Sequence, residues 1–394
     1  MIFNEVGYYC FFLLPSILLF HLSKYSLRPW IITITGVLFF IYFGGIHFGG
    51  LFGSLAVIIL LWEMLTSRFY KPKSLWSIFG VVQAIIVLCY FKYSGFFITI
   101  YNDLLNVFKL SDTQRFSNPI LPLGISFFTF EFIHFASDRY KGKIGKTTLG
   151  EYGAFIFFFP TMVAGPIKRF EEFIPKLRCA CVNLKLINRG ITRILVGLAK
   201  KHALADTFGL ISNSLNTDAL YQADGITIIF WIFAYGMKIY FDFSGYSDIA
   251  IGSAYLFGIP VPENFNWPYL SRNIAEFWRR WHISLGRWIF DYVYVAVGGS
   301  LRSPIRTGFN LIMAFAVSGI WHGAAYNFIA WGLWHGIMMV IYRFWSYISL
   351  RLNVRLPAPV SIMITFIGVN LGWGLFCMDI KRAVFSFSKI LAIL

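Results

Sequence analysis

The sequence predicts an all-α protein that crosses a membrane many times, and three observations lead to this fold class. Of the 394 residues, 58% are hydrophobic and only 13% are charged. Soluble domains contain about 45–50% apolar and about 25% charged residues, so the composition argues against an ordinary soluble enzyme. The third observation is that long apolar segments recur along the whole chain, separated by short polar loops.

The apolar segments are the candidate membrane helices. A helix needs about 20 mainly apolar residues to cross a hydrocarbon core of roughly 30 Å. The stronger candidates lie at 7–22, 31–45, 50–66, 75–91, 120–137, 225–241, 309–325, 328–345 and 359–377. The weaker candidates lie at 93–108, 187–203 and 246–260. We expect about nine to twelve membrane helices in one integral membrane domain, 1–394, together with re-entrant and interfacial helices.

The net charge of +16 is explained by membrane topology. Basic residues lie in short loops between apolar segments rather than on one soluble face, which argues against a nucleic-acid partner. Lys24 and Arg28 follow the first segment, and Arg68, Lys71 and Lys73 follow the third. Positively charged loops stay preferentially in the cytoplasm. We therefore expect a multi-pass protein in contact with membrane lipids, with an extracytoplasmic N-terminus.

The apolar stretch 152–166 does not fit a simple crossing, because the basic segments on either side of it, Arg139–Lys146 and Lys168–Lys201, belong on the same side of the membrane. The stretch contains residues that disfavour a regular helix: Pro160, Gly165 and Pro166. Irregular backbone is tolerated at membrane depth where it is buried in protein or lines a wet cavity. We expect a re-entrant element that enters and leaves on the cytoplasmic side. An ordinary helix with a proline kink is the alternative.

Ionisable residues are concentrated in the segment Arg272–Gly299. Charged side chains at membrane depth are costly, so they indicate function by default. On a helix from Ile274 to Val293, the 3.6-residue period places most charges on one side and His282 among the apolar residues of the other. We expect this helix to lie near the membrane interface. A hydrogen bond between His282 and a neighbouring carbonyl is the structural alternative to a functional role.

Two further histidines, His322 and His335, lie in the small-residue-rich stretch that follows. If they shared one unbroken helix, they would lie roughly 220° apart around the axis and about 20 Å apart along it, too far to serve one site. His322 lies between Gly319 and Gly323, where backbone or substrate can approach closely. His322 is therefore the better catalytic candidate, and His335 is expected to be a packing or supporting residue.

A buried histidine offers a specific chemistry. Desolvation disfavours the imidazolium, so a neutral ring nitrogen is available to take a proton from a hydroxyl. The sequence contains no G-x-S-x-G elbow, H-E-x-x-H zinc helix or phosphate-binding loop. General-base transfer of an already activated group, without a metal, fits these residues best.

Several motifs, taken in order, resemble those of a known family. They are LPLGISFFTFE at 121–131, FPTMVAGPIKRF at 159–170, Tyr240–Asp248, Pro262–Asn266, Tyr269–Ser271, FWRRWHISLGRWIFDYVY and GIWHG. Together they closely resemble the membrane-bound O-acyltransferases, in particular the bacterial alginate O-acetylation subgroup. The resemblance covers roughly residues 90–345, with the core motifs at 120–345.

The resemblance implies roles for individual residues. His322 matches the catalytic histidine, His282 its polar companion, and His335 a recurrent second histidine of the family. The developing oxyanion would receive hydrogen bonds from one of a small set of residues: Trp321, Asn327, Tyr246 or His282. Arg279 and Arg280 are expected to hold phosphates of the donor, although membrane topology and lipid headgroups also explain such arginines.

The resemblance also implies a fold and substrates. Helices would surround a central funnel in a bacterial cytoplasmic membrane, where a donor from the cytoplasm meets an acceptor from the other side. The expected donor is acetyl-coenzyme A or another acyl thioester, with no permanently bound cofactor. The expected acceptor is an extracytoplasmic polysaccharide or glycan, and a periplasmic or extracellular acyltransferase partner is expected to complete the transfer.

Three alternatives remain open from the sequence. The sister branch of the family transfers D-alanine to teichoic acid from a carrier protein, and the compact length of this chain is closer to that branch. A channel or transporter would use the polar residues to line a permeation path, but no second copy of the 272–323 pattern is present, as transporter repeats would predict. A scaffold for a soluble transferase would bind a partner without consuming a thioester.

Overall fold

The computed structural model describes residues 2–46, 51–110, 119–301 and 303–393. These ranges are helical and contain no β-strand, apart from one isolated bridge between Phe265 and Trp281. The helices are α1 (Leu14–Leu22), α2 (Arg28–Ile41), α3 (Leu51–Thr66), α4 (Leu75–Leu88), α5 (Ser94–Val107), α6 (Ile125–Tyr140), α7 (Leu149–Ile156), α8 (Phe159–Met162), α9 (Phe170–Arg178), α10 (Leu184–Ala199), α11 (Asp206–Ser212), α12 (Ala219–Gln222), α13 (Gly225–Leu256), α14 (Ile274–Arg280), α15 (Ile283–Ile289), α16 (Pro304–His322), α17 (Tyr326–Leu352), α18 (Ala358–Cys377) and α19 (Ile380–Leu391). The all-α prediction is confirmed for the described residues.

Three helices in these ranges are long and apolar enough to cross a membrane: Leu75–Val107, Gly225–Leu256 and Ala358–Cys377. Shorter apolar helices span Tyr8–Leu22 and Arg28–Gly44. The protein is therefore a helical membrane protein, as expected. The total of nine to twelve membrane helices stays a prediction.

Two of the long helices correct the segment boundaries expected from hydropathy. The candidates 75–91 and 93–108 form one continuous helix, and so do 225–241 and 246–260. Polar residues lower the local hydropathy without breaking a helix when their side chains find partners. In α13, the carboxylate of Asp242 lies 3.0 Å from Nζ of Lys201.

Contacts within the chain define two compact units. One comprises Met1–Val196 with Tyr246–Pro262, and the other comprises Gly197–Gly245 with Glu263–Leu394. The expectation of a single domain over 1–394 stays a prediction. The first unit contains the re-entrant candidate, and the second contains the histidines singled out above.

In the first unit, the stretch 152–166 is broken in the middle. Helix α7 ends at Ile156, and the four-residue α8 begins at Phe159. The alternative of one kinked helix is therefore wrong. The break is buried, since Phe157 and Phe158 are both 0% exposed, as irregular backbone at membrane depth requires. Entry and exit on the cytoplasmic side stay a prediction.

A buried ion pair lies beside this break. Nζ of Lys168 is 2.5 Å from Oε1 of Glu131, and both side chains are almost fully buried. Nζ also lies 5.1 Å from the ring centre of Phe155 and 5.7 Å from that of Phe173. The pair joins α6 to the segment between α8 and α9.

Replacing Lys168 with methionine is expected to destabilise the protein by about 3–5 kcal/mol, because it leaves the Glu131 carboxylate buried without a counter-charge. The measurement is the thermal unfolding midpoint in detergent. The double variant Lys168→Met, Glu131→Leu should recover most of the loss. Arg382→Gln breaks a more exposed pair with Asp379 and serves as the control, with an expected cost below about 1 kcal/mol. Equal losses of stability in Lys168→Met and Arg382→Gln would contradict the conclusion that the buried Lys168–Glu131 pair stabilises the fold.

Candidate active site

One cavity in the second unit brings together residues of four helices. Its volume is about 780 Å³, within the roughly 300–1,000 Å³ range of small-molecule sites. The wall is built from α14, α15 and the segment after it, together with facing sides of α16 and α17. Both His282 and His322 line it. This cavity is the candidate active site.

His322 reaches the wall from the end of a helix. It is the last residue of α16, which stops because Gly323 is extended, with φ −160° and ψ 149°. The imidazole is half-buried and packs edge-on against Trp331, with ring centres 5.0 Å apart. It also contacts the rings of Trp321 at 4.7 Å and Phe376 at 5.1 Å. Aromatic packing thus holds the ring while it borders the cavity.

The glycines around His322 allow α16 and α17 to pack closely. A Cβ atom on Gly319 would lie 2.2 Å from the carbonyl oxygen of Phe328. A Cβ atom on Gly323 would lie 2.0 Å from the Phe328 ring. The expectation that backbone approaches closely here is confirmed, and the approaching group is the first turn of α17.

His282 lies at a break that the sequence did not predict. The single helix expected from Ile274 to Val293 is wrong, because α14 ends at Arg280 and α15 begins at Ile283. Between them, His282 adopts a left-handed conformation with φ +42°. Each helix has seven residues, too few to cross a bilayer. His282 is 2% exposed and faces the protein interior, in agreement with its place among the apolar residues of the segment. The position of this segment near the membrane interface stays a prediction.

Asn264 explains the break, and sequence reasoning did not identify it as a site residue. Its backbone carbonyl accepts a hydrogen bond from the Ile283 N–H at 3.0 Å. Its side-chain oxygen accepts hydrogen bonds from Oγ of Ser284 at 2.6 Å and from the Ser284 N–H at 3.3 Å. These bonds satisfy two of the free N–H groups at the start of α15, those of Ile283 and Ser284. The only signal in the sequence was its place in the motif Pro262–Asn266.

The His282 imidazole has an apolar environment. It packs edge-on against Phe243 at 4.6 Å and lies 6.1 Å from the Trp321 ring. Neither ring nitrogen has a hydrogen-bond partner among the described residues, so the alternative of a bond to a neighbouring carbonyl is wrong. Burial lowers the pKa of His282 to about 3, and the ring is neutral at physiological pH.

Asn264→Ala is expected to lower the activity of the protein without unfolding it. The change removes a buried acceptor of the Ser284 hydroxyl, and loss of such a buried hydrogen bond costs about 1–3 kcal/mol locally. His282 then loses the support that fixes its position. The exposed Asn266 in the same motif provides the control variant, Asn266→Ala. Turnover and the unfolding midpoint are measured for both variants, and equal turnover would refute a positioning role for Asn264.

His335 lies outside the cavity wall. His322 and His335 do not share one helix, since α16 ends at His322 and α17 begins at Tyr326. Trp331 stands between the histidines and contacts each at a ring-centre distance of 5.0 Å. His335 is 0% exposed and also packs against Trp278 at 4.9 Å. This environment is that of a packing residue.

Of the other predicted site residues, some line the cavity and some do not. Arg279 lines the cavity. Arg280 instead forms an ion pair with Glu276 at 2.5 Å. Trp321 contacts His322 from outside the set of lining residues.

Two proposed oxyanion donors lie elsewhere. The Asn327 amide donates to the backbone carbonyls of Leu375 and Phe376 at 3.3 and 3.4 Å. Tyr246 belongs to the first unit, where its ring packs edge-on against Phe3 at 4.7 Å. The described cavity wall contains neither residue.

Three further charged residues line the wall: Arg287, Asp291 and Arg343. Arg287 belongs to the arginine-rich segment that the sequence associated with donor phosphates, whereas Asp291 and Arg343 were not predicted as site residues. Arg287 follows His282 in the same motif, and Asp291 lies one helical turn beyond it. Arg343 lies late in α17, and no sequence motif connected it with the histidines. The only signal in the sequence that could have placed Arg343 near His322 was the succession of the two apolar segments that form the hairpin of α16 and α17.

A second cluster of titratable groups lies in the first unit. Nδ1 of His134 is 3.5 Å from Asp138, and Nε2 is 3.1 Å from Glu171. Nε2 also accepts a hydrogen bond from the Phe170 N–H at 3.0 Å. The two carboxylates thus lie beside opposite nitrogens of the His134 ring. In a metal site, one ring nitrogen and both carboxylates would instead point to a common position. We interpret the cluster as a hydrogen-bonded link between α6 and α9.

Comparisons with known proteins agree with this geometry. The model of the membrane-bound O-acyltransferase family matches residues 73–373. A probable alginate O-acetylase of Pseudomonas aeruginosa is 37% identical over 79% of this chain and 60% of its own length. A peptidoglycan O-acetyltransferase of Helicobacter pylori is 34% identical over 77% of this chain and 62% of its own. A teichoic acid D-alanyltransferase of Bacillus subtilis is 32% identical over 66% and 69%, respectively.

The chain spans about three fifths of the length of the first two of these relatives. The family match nevertheless covers most of the chain and includes both histidines of the cavity wall. The chain therefore belongs to the membrane-bound O-acyltransferase family.

Proposed function

We propose that this chain is a membrane-embedded O-acyltransferase that moves an acetyl group from a cytoplasmic thioester to a hydroxyl of a cell-surface polysaccharide. The observation that carries the proposal is the presence of His322 and His282 on the wall of one cavity. Both lie in the motifs that resemble the family's catalytic region. The cavity is large enough for a thioester arm and an acceptor hydroxyl to meet beside His322.

In the proposed reaction, His322 acts as general base. Its ring nitrogen takes the proton of the acceptor hydroxyl as the hydroxyl oxygen attacks the thioester carbonyl carbon. The new C–O bond forms, the C–S bond breaks, and the thiolate leaves. The thiolate then receives the proton from His322, which returns to its neutral state. His282 is the neutral companion that donates to, or orients, the oxyanion.

The identity of the acyl group is proposed from the relatives. The two O-acetylating relatives match 79% and 77% of this chain, whereas the D-alanyl-transferring relative matches 66%. Acetyl transfer is therefore the better proposal, with acetyl-coenzyme A as a donor substrate. Alginate and peptidoglycan, named for the relatives, define the acceptor class to test.

Topology supports a cytoplasmic donor. Basic residues flank one end of the hairpin formed by α16 and α17, with Arg306 at the start of α16 and Arg351 at the end of α17. The opposite end of this hairpin, formed by residues 319–341, contains no Lys or Arg. Positive ends stay preferentially in the cytoplasm. We place the protein in a bacterial cytoplasmic membrane, with its acceptor and a partner acyltransferase outside.

The test uses the full chain in nanodiscs with acetyl-coenzyme A labelled in the acetyl group. Alginate oligomers, peptidoglycan fragments and buffer alone are offered as acceptors, with and without an extracytoplasmic acyltransferase partner. Labelled ester on a hydroxyl is the expected product. Solute flux through liposomes without thioester consumption would instead favour a channel. Partner binding without thioester consumption would favour a scaffold.

A further inference from the structure

Arg28 is a buried cation of the first unit, and no carboxylate pairs with it among the described residues. It is the first residue of α2 and is 6% exposed. Nη1 donates a hydrogen bond to the backbone carbonyl of Ala180 at 2.5 Å, and Nε has no acceptor within the described ranges. The ion pairs of this unit involve other basic residues, such as Lys168 and Arg178. A buried charge without a counter-charge is destabilising, so an anion beside this guanidinium would stabilise the fold.

The surroundings of Arg28 leave one edge of its guanidinium for such an anion. The Cζ atom lies over two aromatic rings, 3.9 Å from the ring centre of Tyr25 and 4.9 Å from that of Phe20. Aromatic contacts of this kind use the faces of the planar group, whereas its N–H edge donates parallel hydrogen bonds to phosphate oxygens. Tyr25 is 62% exposed, so a surface ring covers the guanidinium and a ligand can displace it. The chemistry of the edge therefore suits a phosphate.

The loop before Arg28 belongs at the surface of the membrane. It comprises residues 23–27 and joins the two apolar helices Tyr8–Leu22 and Arg28–Gly44. Lys24 in this loop is exposed. Basic loops stay preferentially in the cytoplasm, where the membrane surface is negative because that leaflet contains anionic lipids. The loop thus brings Arg28 to the depth of lipid phosphates.

Exposed apolar side chains lie on both sides of the guanidinium. Leu18 and Leu22 of α1 precede it, and Val182 and Leu184 follow the Ala180 carbonyl that it binds; each of the four is more than half exposed. Free phosphate makes no favourable contact with such side chains. The acyl chains of a lipid would remove them from water, which is the stabilising contribution of apolar burial.

Helix α10, which begins four residues after Ala180, has the pattern of a helix at a membrane surface. Leu184, Ile191 and Leu195 are exposed and lie on one stripe of the helix, because they are seven and four residues apart. The exposed Lys185 and Arg189 lie on the neighbouring stripe. A basic amphipathic helix of this kind lies in the interface and is attracted to anionic headgroups.

We propose that Arg28 binds the phosphate of one anionic phospholipid, whose acyl chains cover the exposed apolar side chains of α1 and of residues 182–184. The lipid links the loop 23–27 to the segment 178–183, and both belong to the first unit. The inference does not depend on the proposed acyl transfer, because the site lies in the first unit and the cavity with His282 and His322 lies in the second.

The direct test is native mass spectrometry of the full chain titrated with phosphatidylglycerol or phosphatidylcholine. The wild type should bind phosphatidylglycerol about tenfold more tightly, since its headgroup has no choline to offset the charge-assisted hydrogen bonds of Arg28. Arg28→Gln should bind both lipids equally. Arg28→Lys keeps the charge without the planar fork and should show an intermediate preference. A wild type without a preference, or Arg28→Gln with the wild-type preference, would overturn the inference.

Lys24→Gln is the matched control, because it removes the same charge from an exposed position in the adjoining loop. Its effect should vanish at roughly 0.5 M salt, where exposed charges are screened. The effect of Arg28→Gln should persist there, since the guanidinium is buried. Loss of both effects in salt would show a general attraction between the loop and the membrane surface and would exclude a specific phosphate site.

Two further measurements identify the source of the phosphate and the position of the lipid. Glycerol 3-phosphate has the phosphate without acyl chains and should compete poorly; competition as strong as that of phosphatidylglycerol would assign the site to a soluble phosphate instead. Phosphatidylglycerol with a photoreactive group beside its glycerol should label residues 18–30 and 178–191 of the wild type. Labelling confined to other segments would refute the proposed position, and this result does not require any variant to fold.

The stability of the protein should respond to the same lipid. A ligand that binds only the folded state raises the unfolding midpoint. Phosphatidylglycerol should therefore raise the midpoint of the wild type relative to phosphatidylcholine and leave that of Arg28→Gln unchanged. An equal rise in both proteins would mean that the lipid stabilises the fold without Arg28 and would contradict the proposed link.

Discussion

Replacing His322 with alanine is expected to lower the rate of acetyl transfer by about 10²- to 10⁴-fold, the usual contribution of a positioned general base. The reason is that His322 is the proposed general base, and the other histidine on the described wall is His282, to which the proposed reaction gives a different role. The Trp321 ring is near both, with ring centres 4.7 Å from His322 and 6.1 Å from His282. The loss should appear in kcat, because the donor arm is held mainly by other residues of the wall. The measurement is release of coenzyme A thiol together with ester formation.

The control is the exposed His202, which lies outside the described wall. His202→Ala should transfer acetyl groups at the wild-type rate. A second variant, His322→Gln, retains a polar side chain but cannot take up a proton and should be as slow as His322→Ala. Both His322 variants must show the wild-type unfolding midpoint. Wild-type turnover by either of them, with the fold intact, would eliminate His322 as the base.

The features that sequence analysis predicted correctly are local ones. The length of an apolar run, such as that of α18, can be read directly from consecutive residues and shows that a helix can span a membrane. The broken backbone near Pro160 was also predictable, because proline and glycine act on their immediate neighbours. His322 was singled out by the nearby glycines Gly319 and Gly323 and by the family motif. None of these inferences needed knowledge of distant contacts.

The break at His282 could not be predicted in this way. Periodicity favoured a single helix over this segment, and no proline or glycine interrupts it between Ile274 and Leu285. The interruption comes from Asn264, which is eighteen residues earlier in the chain and uses its hydrogen bonds to start a new helix at Ile283. A tertiary contact thus overrides a local helical preference.

Arg343 was missed for a related reason. It lies 21 residues after His322, on a separate helix, and only the folding of α16 against α17 places both on one wall. Nothing in the sequence distinguishes Arg343 from the other basic residues near the end of this apolar segment, such as Arg351 and Arg355. The same hairpin also places His322 and His335 on two different helices. The assumption of one continuous helix had placed them on different faces of that helix.

Gly319→Ala is expected to have the second large effect, and it acts through this hairpin. The new Cβ atom would lie 2.2 Å from the carbonyl oxygen of Phe328 and 3.2 Å from the Cα atom of Gly332. Both are backbone atoms, so relief requires a shift of α17 rather than a side-chain rotation. Overpacking of this kind costs about 1–3 kcal/mol and occasionally more. The unfolding midpoint should fall accordingly.

The same shift should impair catalysis, because α17 carries Trp331, whose ring supports His322. A displacement of about 1 Å at a catalytic group can lower a rate by about 10²-fold. Gly308→Ala is the matched control on α16, since its Cβ would meet only methyl groups of Val340 at 3.6 and 3.8 Å. That variant gains helix propensity without a clash and should retain stability and rate. If both alanine variants behave alike, close packing at Gly319 does not position His322, and the imidazole must be held by its aromatic neighbours alone.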